Sequence, residues 1–215
     1  MPPQDSPDDR NPPTRFAVAL FPGFQALDVF GPLDILNMLS KTRRLSLEIY
    51  SATLDPVPTL TPSSGHSTGQ SVVPTRTFAD GADDIEVLLV PGGFGSRDPA
   101  NVAPVVEFVR AAYPRLRRAT RDFEQEGVGV GSLVATKATA QGPRVNWVRR
   151  ARWVTDGNIW TSSGISAGID MMYAFVGDQY GEDLANTLAD ASEYIRNTDP
   201  DFDPFAGKAE NGTAK

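Results

Sequence analysis

Short apolar runs alternate with segments of helical periodicity along most of this chain, and this alternation limits the folds open to it. The runs at 16–20 and 85–90 are almost wholly apolar, as expected for strands covered on both faces. Four apolar residues recur at the spacing of one helix face: Leu27, Phe30, Leu33 and Leu36. They predict an amphipathic helix at about 27–40. Strands that alternate with helices favour a mostly parallel sheet with helices on both faces.

The alternation continues through the second half of the chain. Further strands are predicted at 47–53, 70–73, 145–148, 151–155 and 158–162, and further helices at 102–113 and 165–180. A last helix is marked by Leu184, Leu188, Ala191 and Ile195. Asp156-Gly157 is a strong signal for a tight hairpin between the last two strands. The three tryptophans, Trp147, Trp153 and Trp160, are expected in the core.

A length of 215 residues is typical of a single domain. We expect one domain over 15–205. It is flanked by disordered tails at 1–14, which is rich in proline and aspartate, and at 206–215, which is small and polar. The net charge of −7 argues against a nucleic-acid partner, so the basic residues at 115–118 and at Arg149, Arg150 and Arg152 are interpreted as solvated.

Other classes of function are also disfavoured. The apolar runs are too short to cross a membrane, and the first residues lack an apolar signal core, so a cytoplasmic protein is expected. The single histidine, His66, lies in a polar stretch and is interpreted as an exposed loop residue. One histidine and scattered carboxylates give no defensible ligand spacing, so we predict no metal site.

Ligands of open α/β sheets bind outside the carboxyl ends of the strands. That rule indicates three places: residues 20–23 with the following Asp28, the Pro91-Gly92-Gly93 bend, and a glycine-rich turn at 128–132. A glycine pair after a buried strand can direct backbone N–H groups at a developing oxyanion, or it can simply connect strand to helix. Asp28 is likewise compatible with a catalytic carboxyl group or with a helix N-cap.

Three segments together resemble the ThiJ/PfpI superfamily. Residues 21–34 (FPGFQALDVFGPLD) are similar to its opening motif, 90–95 (VPGGFG) to its second motif, and 145–148 with 151–170 to its C-terminal segment. The branch most resembled is the isocyanide hydratase-like one. The resemblance implies the class I glutamine amidotransferase-like fold, a three-layer α/β sandwich with a mostly parallel, flavodoxin-like sheet.

The resemblance also implies a chemistry. Members of that branch add water to the isocyanide carbon to give an N-formamide, and a cysteine on a strained strand-to-helix turn attacks the carbon. The resemblance implies that an aspartate at the position of Asp28 transfers protons. It also implies that backbone around Gly92, Gly93 and Phe94 helps to hold the small-molecule substrate. Such proteins are commonly homodimers and need no cofactor.

The chain differs from the family at the reactive group, because it contains no cysteine. Residues 128–132 (VGVGS) can be laid on the family's Val-Cys-Thr-Gly-Ser turn. Gly129 then replaces the nucleophile and Val130 the following threonine. Ser132 is the nearby hydroxyl, a weak surrogate because no histidine lies in the matching motifs to act as its base. A second alignment treats Ala135 as the far side of a larger deletion.

Three hypotheses follow. The first and favoured one is a catalytically degenerate domain that binds a small molecule or acts as a dimeric interaction module. The second is an isocyanide hydratase-like or amidotransferase-like enzyme that works without a thiol. The third is a truncated version of such an enzyme, motivated by the abrupt junction between the polar stretch 118–127 and residues 135–147.

Overall fold

A seven-stranded sheet organises the chain in the computed structural model, which describes residues 12–61, 67–116, 129–131, 148 and 150–206. The strands are β1 (Arg15–Ala19), β2 (Ser46–Ser51), β3 (Val57–Pro58), β4 (Ser71–Val72), β5 (Arg76–Thr77), β6 (Val87–Val90), β7 (Gly129–Gly131), β8 (Trp153–Asp156) and β9 (Ile159–Ser162). The helices are α1 (Ala26–Leu39), α2 (Pro99–Ala112), α3 (Ile165–Tyr180) and α4 (Glu182–Ala191).

The strands are ordered β5-β2-β1-β6-β7-β9-β8 across the sheet. Every neighbouring pair is parallel except β8 and β9, which form an antiparallel hairpin. Strands β3 and β4 form a separate antiparallel ribbon. The mostly parallel sheet predicted from the alternation of elements is therefore confirmed.

Helices cover both faces of this sheet, as the strand register demonstrates. Phe16 of β1 packs edge-on against Phe175 of α3, whereas Tyr50 of β2 packs against Phe108 of α2. Tyr50 pairs with Ala19, three residues along β1 from Phe16. Because successive side chains of a strand alternate between faces, α3 and α2 lie on opposite sides. The fold is a three-layer α/β sandwich.

The interior is filled by aromatic and branched side chains from both layers. Trp160 of β9 meets Phe175 edge-on at 5.7 Å between ring centroids. Trp153 and Trp160 are both buried, as predicted. Trp147 lies outside the described residues, as does most of the strand predicted at 145–148. Within the described residues, none of the helices is both long and apolar enough to span a membrane.

Two sequence-based expectations about elements are wrong. The last helix ends at Ala191, and Ile195, predicted on its apolar face, is 94% exposed. The turn predicted at 128–132 is a strand over its three described residues, Gly129–Gly131. That short segment takes the position between β6 and β9, where it pairs the backbone groups of both neighbours. The sequence did not predict this strand, because a segment rich in glycine has no apolar run of the kind that marks a buried strand.

Candidate functional site

Two backbone loops meet at the carboxyl edge of the sheet and form the base of the candidate site. One connects β1 to α1, and the other follows β6. The N–H of Gln25 donates to the carbonyl of Gly92 at 2.7 Å, and the N–H of Gly95 donates to the carbonyl of Gly23 at 3.0 Å. These reciprocal bonds join loops that lie about seventy residues apart in sequence.

The close approach of these loops explains why glycines stand at their centre. Gly93 has a φ of +145°, a conformation that L side chains rarely adopt, and a Cβ there would lie 2.5 Å from the backbone nitrogen of Gln25. Gly95 is equally constrained, because a Cβ would collide with the carbonyl oxygen of Pro22. Gly93 and Gly95 thus allow a tight connection between the two loops and, at the same time, shape the candidate site.

Asp28 is the side chain that this loop pairing positions. It lies in the first turn of α1 and is 6% exposed. Its Oδ2 accepts a hydrogen bond from the N–H of Gly92 at 2.9 Å. The side chain does not cap its own helix; the N-cap residue of α1 is Gln25. The structure therefore brings Asp28 to the Pro-Gly-Gly bend, as the sequence motifs indicated, and leaves its N-cap interpretation unsupported.

A pocket of about 150 Å³ opens beside Asp28. Its described lining residues are Gln25, Asp28, Gly93, Phe94, Ser96, Arg97 and Ile165. A cavity of this volume accommodates a molecule about as large as benzene. Phe94 and Ile165 give the pocket an apolar wall, and both are partly exposed at 47% and 40%. The arrangement combines a buried carboxylate with room for one small, partly apolar molecule.

A buried ion network holds the wall that carries Ile165. Arg152, which precedes β8, is 5% exposed and meets the Asp170 carboxylate of α3 at 2.6 Å, and its backbone N–H donates to the Pro200 carbonyl. Ser163 donates to Asp203 at 2.8 Å, which ties the start of α3 to the C-terminal segment. The interpretation of Arg152 as a solvated residue is therefore wrong.

The sequence did carry a signal for this network. Asp170 stands in a helix whose buried positions are mostly apolar, and a buried charge of that kind requires a partner. The same carboxylate accepts a hydrogen bond from the hydroxyl of Tyr194 at 3.0 Å. Burial, reinforced by the negative charge of Asp170, raises the pKa of Tyr194 to about 12.

Of the three positions proposed around the missing nucleophile, Gly129, Val130 and Ser132, the first two are placed by the backbone pairing of β7. Gly129 pairs with Leu88 and Val130 with Leu89, so Gly129 lies within β7, two residues before its end. Gly131 pairs with Val90, the residue that precedes the Pro-Gly-Gly bend. Ser132 is outside the described residues. The chain therefore leaves β7 next to the bend that carries Gly92 and Gly93.

In the part of the chain that the structure describes, no group of three His, Cys, Asp or Glu side chains is placed to bind a metal ion. His66 falls outside that part.

Comparison with known proteins agrees with this fold. No protein-family model matches the chain. It is 31% identical to an isonitrile hydratase of Pseudomonas putida over 190 residues, covering 81% of this chain and 76% of that protein. Isonitrile and isocyanide are two names for one functional group.

Solved structures of low sequence identity share the fold. A ThiJ/PfpI family protein of Pseudomonas syringae is 21% identical with a TM-score of 0.54, covering 92% of this chain and 83% of its own. A DJ-1 superfamily protein of Salmonella typhimurium is 19% identical with a TM-score of 0.61, covering 85% and 100%. The hydratase relative, together with the motifs around Asp28 and Gly92, places the chain in a family. This protein belongs to the isonitrile hydratase-like branch of the ThiJ/PfpI superfamily.

Proposed function

We propose that this protein is a catalytically degenerate member of its branch that binds a small molecule without converting it. One observation carries the proposal: the pocket beside Asp28 is built, yet the chain contains no cysteine that could attack a substrate there. Without a nucleophile, the difficult addition cannot be divided into two easier steps. A bound ligand would then remain unchanged.

Serine offers little compensation. A hydroxyl becomes a useful nucleophile when an adjacent base removes its proton, and the single histidine of the chain is His66, far in sequence from Ser132. Asp28 is the carboxylate beside the pocket, and its Oδ2 already accepts from Gly92. We therefore assign Asp28 a binding role, with Gly92, Gly93 and Phe94 forming the adjacent surface.

Titration calorimetry with a small alkyl isonitrile and with its N-formamide tests this function. We expect saturable binding of at least one of them, weakened by Asp28→Asn and left unchanged by Asp34→Asn. Asp34 is a suitable control because it lies on the same helix with an exposed side chain. Absence of binding by both compounds, or equal binding by the Asp28→Asn variant, would contradict the assignment.

A thiol-independent hydratase is the second candidate, favoured by the identity to the Pseudomonas putida enzyme. In that case Asp28 would polarise a bound water for direct addition to the isonitrile carbon. Turnover above the buffer rate that disappears in a folded Asp28→Ala variant would establish it. Sequencing the transcript across the codons for 117–147 would test the remaining possibility, a truncated enzyme.

We also propose a cytoplasmic homodimer. Two large apolar side chains of α1, Leu27 and Phe30, are 46% and 43% exposed, which is the kind of surface that a second copy would cover. Light scattering should give twice the mass of the chain for the native protein and a single mass for Phe30→Glu. Cell fractionation would test the location.

A further inference from the structure

We propose that the pocket selects small organic anions, above all carboxylates on a compact apolar group, and that Arg97 is the residue that selects them. The inference rests on the proposed small-molecule binding and adds the class of ligand. The pocket mouth carries a guanidinium group whose geometry suits a carboxylate, although the isonitrile of the related hydratase is neutral and would not require a cation there.

Arg97 is held over the pocket by an aromatic ring. Its guanidinium carbon lies 4.6 Å from the ring centroid of Phe94, and both residues line the pocket. A cation at that distance over a ring is attracted by the ring's negative face, so the guanidinium stays near the apolar wall. The N–H donors of Arg97 make no hydrogen bond to a residue that the structure describes, so they can meet a ligand.

No described acidic side chain neutralises this cation. Arg97 has no ion pair with any residue that the structure describes, and the adjacent Asp98 directs its Oδ1 to the N–H of Ala100 at 2.9 Å, where it caps α2. The Asp28 carboxylate also lines the pocket and accepts from Gly92, but it is not within ion-pair distance of Arg97. No carboxylate of the described residues is therefore paired with the guanidinium, which can meet an anion that enters the pocket.

The remaining lining residues define the rest of the ligand. Phe94 and Ile165 offer apolar surface, and the volume of about 150 Å³ suits one small ring or branched chain. Its carboxylate would accept two parallel hydrogen bonds from the guanidinium, an arrangement that is stronger and more directional than a neutral pair. Its apolar body would lie between Phe94 and Ile165, with Gln25 and Ser96 beside it.

Benzoate and benzamide are the probes that test this inference, because they share size and shape and differ in charge. Calorimetry at low ionic strength should show benzoate binding about tenfold more tightly than benzamide, as expected for a charge-assisted pair. The Arg97→Gln variant should bind both compounds equally, and Arg97→Lys should recover part of the preference. Arg110→Gln is the matched control, because Arg110 is engaged by Glu107 on the exposed side of α2.

The outcomes separate this inference from the proposed function. If benzamide or an isonitrile binds but benzoate gains nothing, the small-molecule function stands and the anion selectivity is refuted. A benzoate preference that persists in Arg97→Gln would also overturn it. If neither the two probes nor the isonitrile binds, both proposals fail. Circular dichroism of each variant would verify that the fold is retained.

Discussion

The carboxylate of Asp28 accepts a hydrogen bond from the backbone N–H of Gly92 at 2.9 Å, although the two residues are separated by 64 positions in sequence. The bond joins the first turn of α1 to the bend after β6, and both groups are buried. The contact therefore assembles the candidate site and contributes to the stability of the domain.

Replacing Asp28 by alanine should destabilise the protein by about 1–3 kcal/mol, because the buried N–H of Gly92 would lose its acceptor. Asp28→Asn, which keeps an acceptor oxygen, should cost less. Urea denaturation monitored by circular dichroism measures both values. Asp34→Ala, on the exposed face of the same helix, should change the free energy of unfolding little, and an equal loss there would refute this explanation.

Gly93→Ala should be more damaging than its small size suggests. The new Cβ would meet the backbone of the β1–α1 loop, and the φ of +145° would be strained at a cost of about 1–3 kcal/mol before any clash is counted. Two glycines serve as controls in the same denaturation series. Gly157→Ala, with a φ of +58° and open space around it, isolates the backbone cost, and Gly164→Ala should be nearly neutral.

Arg152→Met should destabilise the protein by about 3–5 kcal/mol, because it leaves the Asp170 carboxylate buried without its cation. The start of α3 should loosen as well, since Asp203 is shared between Arg152 and Ser163. Hydrogen exchange at residues 163–166 would detect that loosening. Arg110→Met, which breaks an exposed pair with Glu107, should leave both stability and exchange unchanged.

The stability of the domain should fall in alkali, and Tyr194 should contribute to the fall. Its pKa is raised to about 12 in the folded protein, mainly by burial and then by Asp170. An unfolded tyrosine loses its proton near pH 10, so the unfolded state binds fewer protons above that pH. The contribution of the protonated Tyr194 to the free energy of unfolding is complete below about pH 10 and is lost as the pH rises through about 12.

Urea midpoints measured between about pH 8 and pH 11 test this dependence. Tyr194→Phe should be less stable at the lower pH, because it loses the hydrogen bond to Asp170, but its stability should decline less steeply. An identical slope in the variant would show that Tyr194 takes no part.

Gly129→Cys should not restore isonitrile hydration. Gly129 pairs with Leu88 and lies two residues before the end of β7, so its backbone is about 7 Å from that end, where the candidate site begins. Ser132→Cys follows the strand in sequence and is the comparison variant. Formamide production by chromatography would measure both, and activity from Gly129→Cys alone would contradict the register of β7.

Periodicity predicted most of the helices and strands, although Leu27 and Phe30, predicted on the apolar face of α1, are exposed. The α3 bounds agree with the predicted helix at 165–180, and the Asp156-Gly157 turn does join β8 to β9. The two-residue strand β3 was not predicted, because so short a segment has no measurable period. Asp28 and the Pro-Gly-Gly bend were both expected at the carboxyl ends of strands, and a hydrogen bond joins Asp28 to Gly92 there.

Other features depend on tertiary contacts that no local pattern reports. Arg152 is buried because Asp170 and Asp203 converge on it from two distant segments. Arg97 gains its place at the pocket from the ring of Phe94, in a segment whose apparent role was only to connect β6 to α2. The assignment of β7 to the centre of the sheet follows from pairing with its neighbours rather than from its own residues.

In the proposed function, the scaffold binds a ligand but lacks the cysteine sulfur that would convert it. The most direct test is the rate at which a small alkyl isonitrile disappears in the presence of the native protein, at concentrations where calorimetry shows the site to be occupied. We expect the rate of buffer alone. A saturable rate well above buffer that is abolished in a folded Asp28→Ala variant would contradict it.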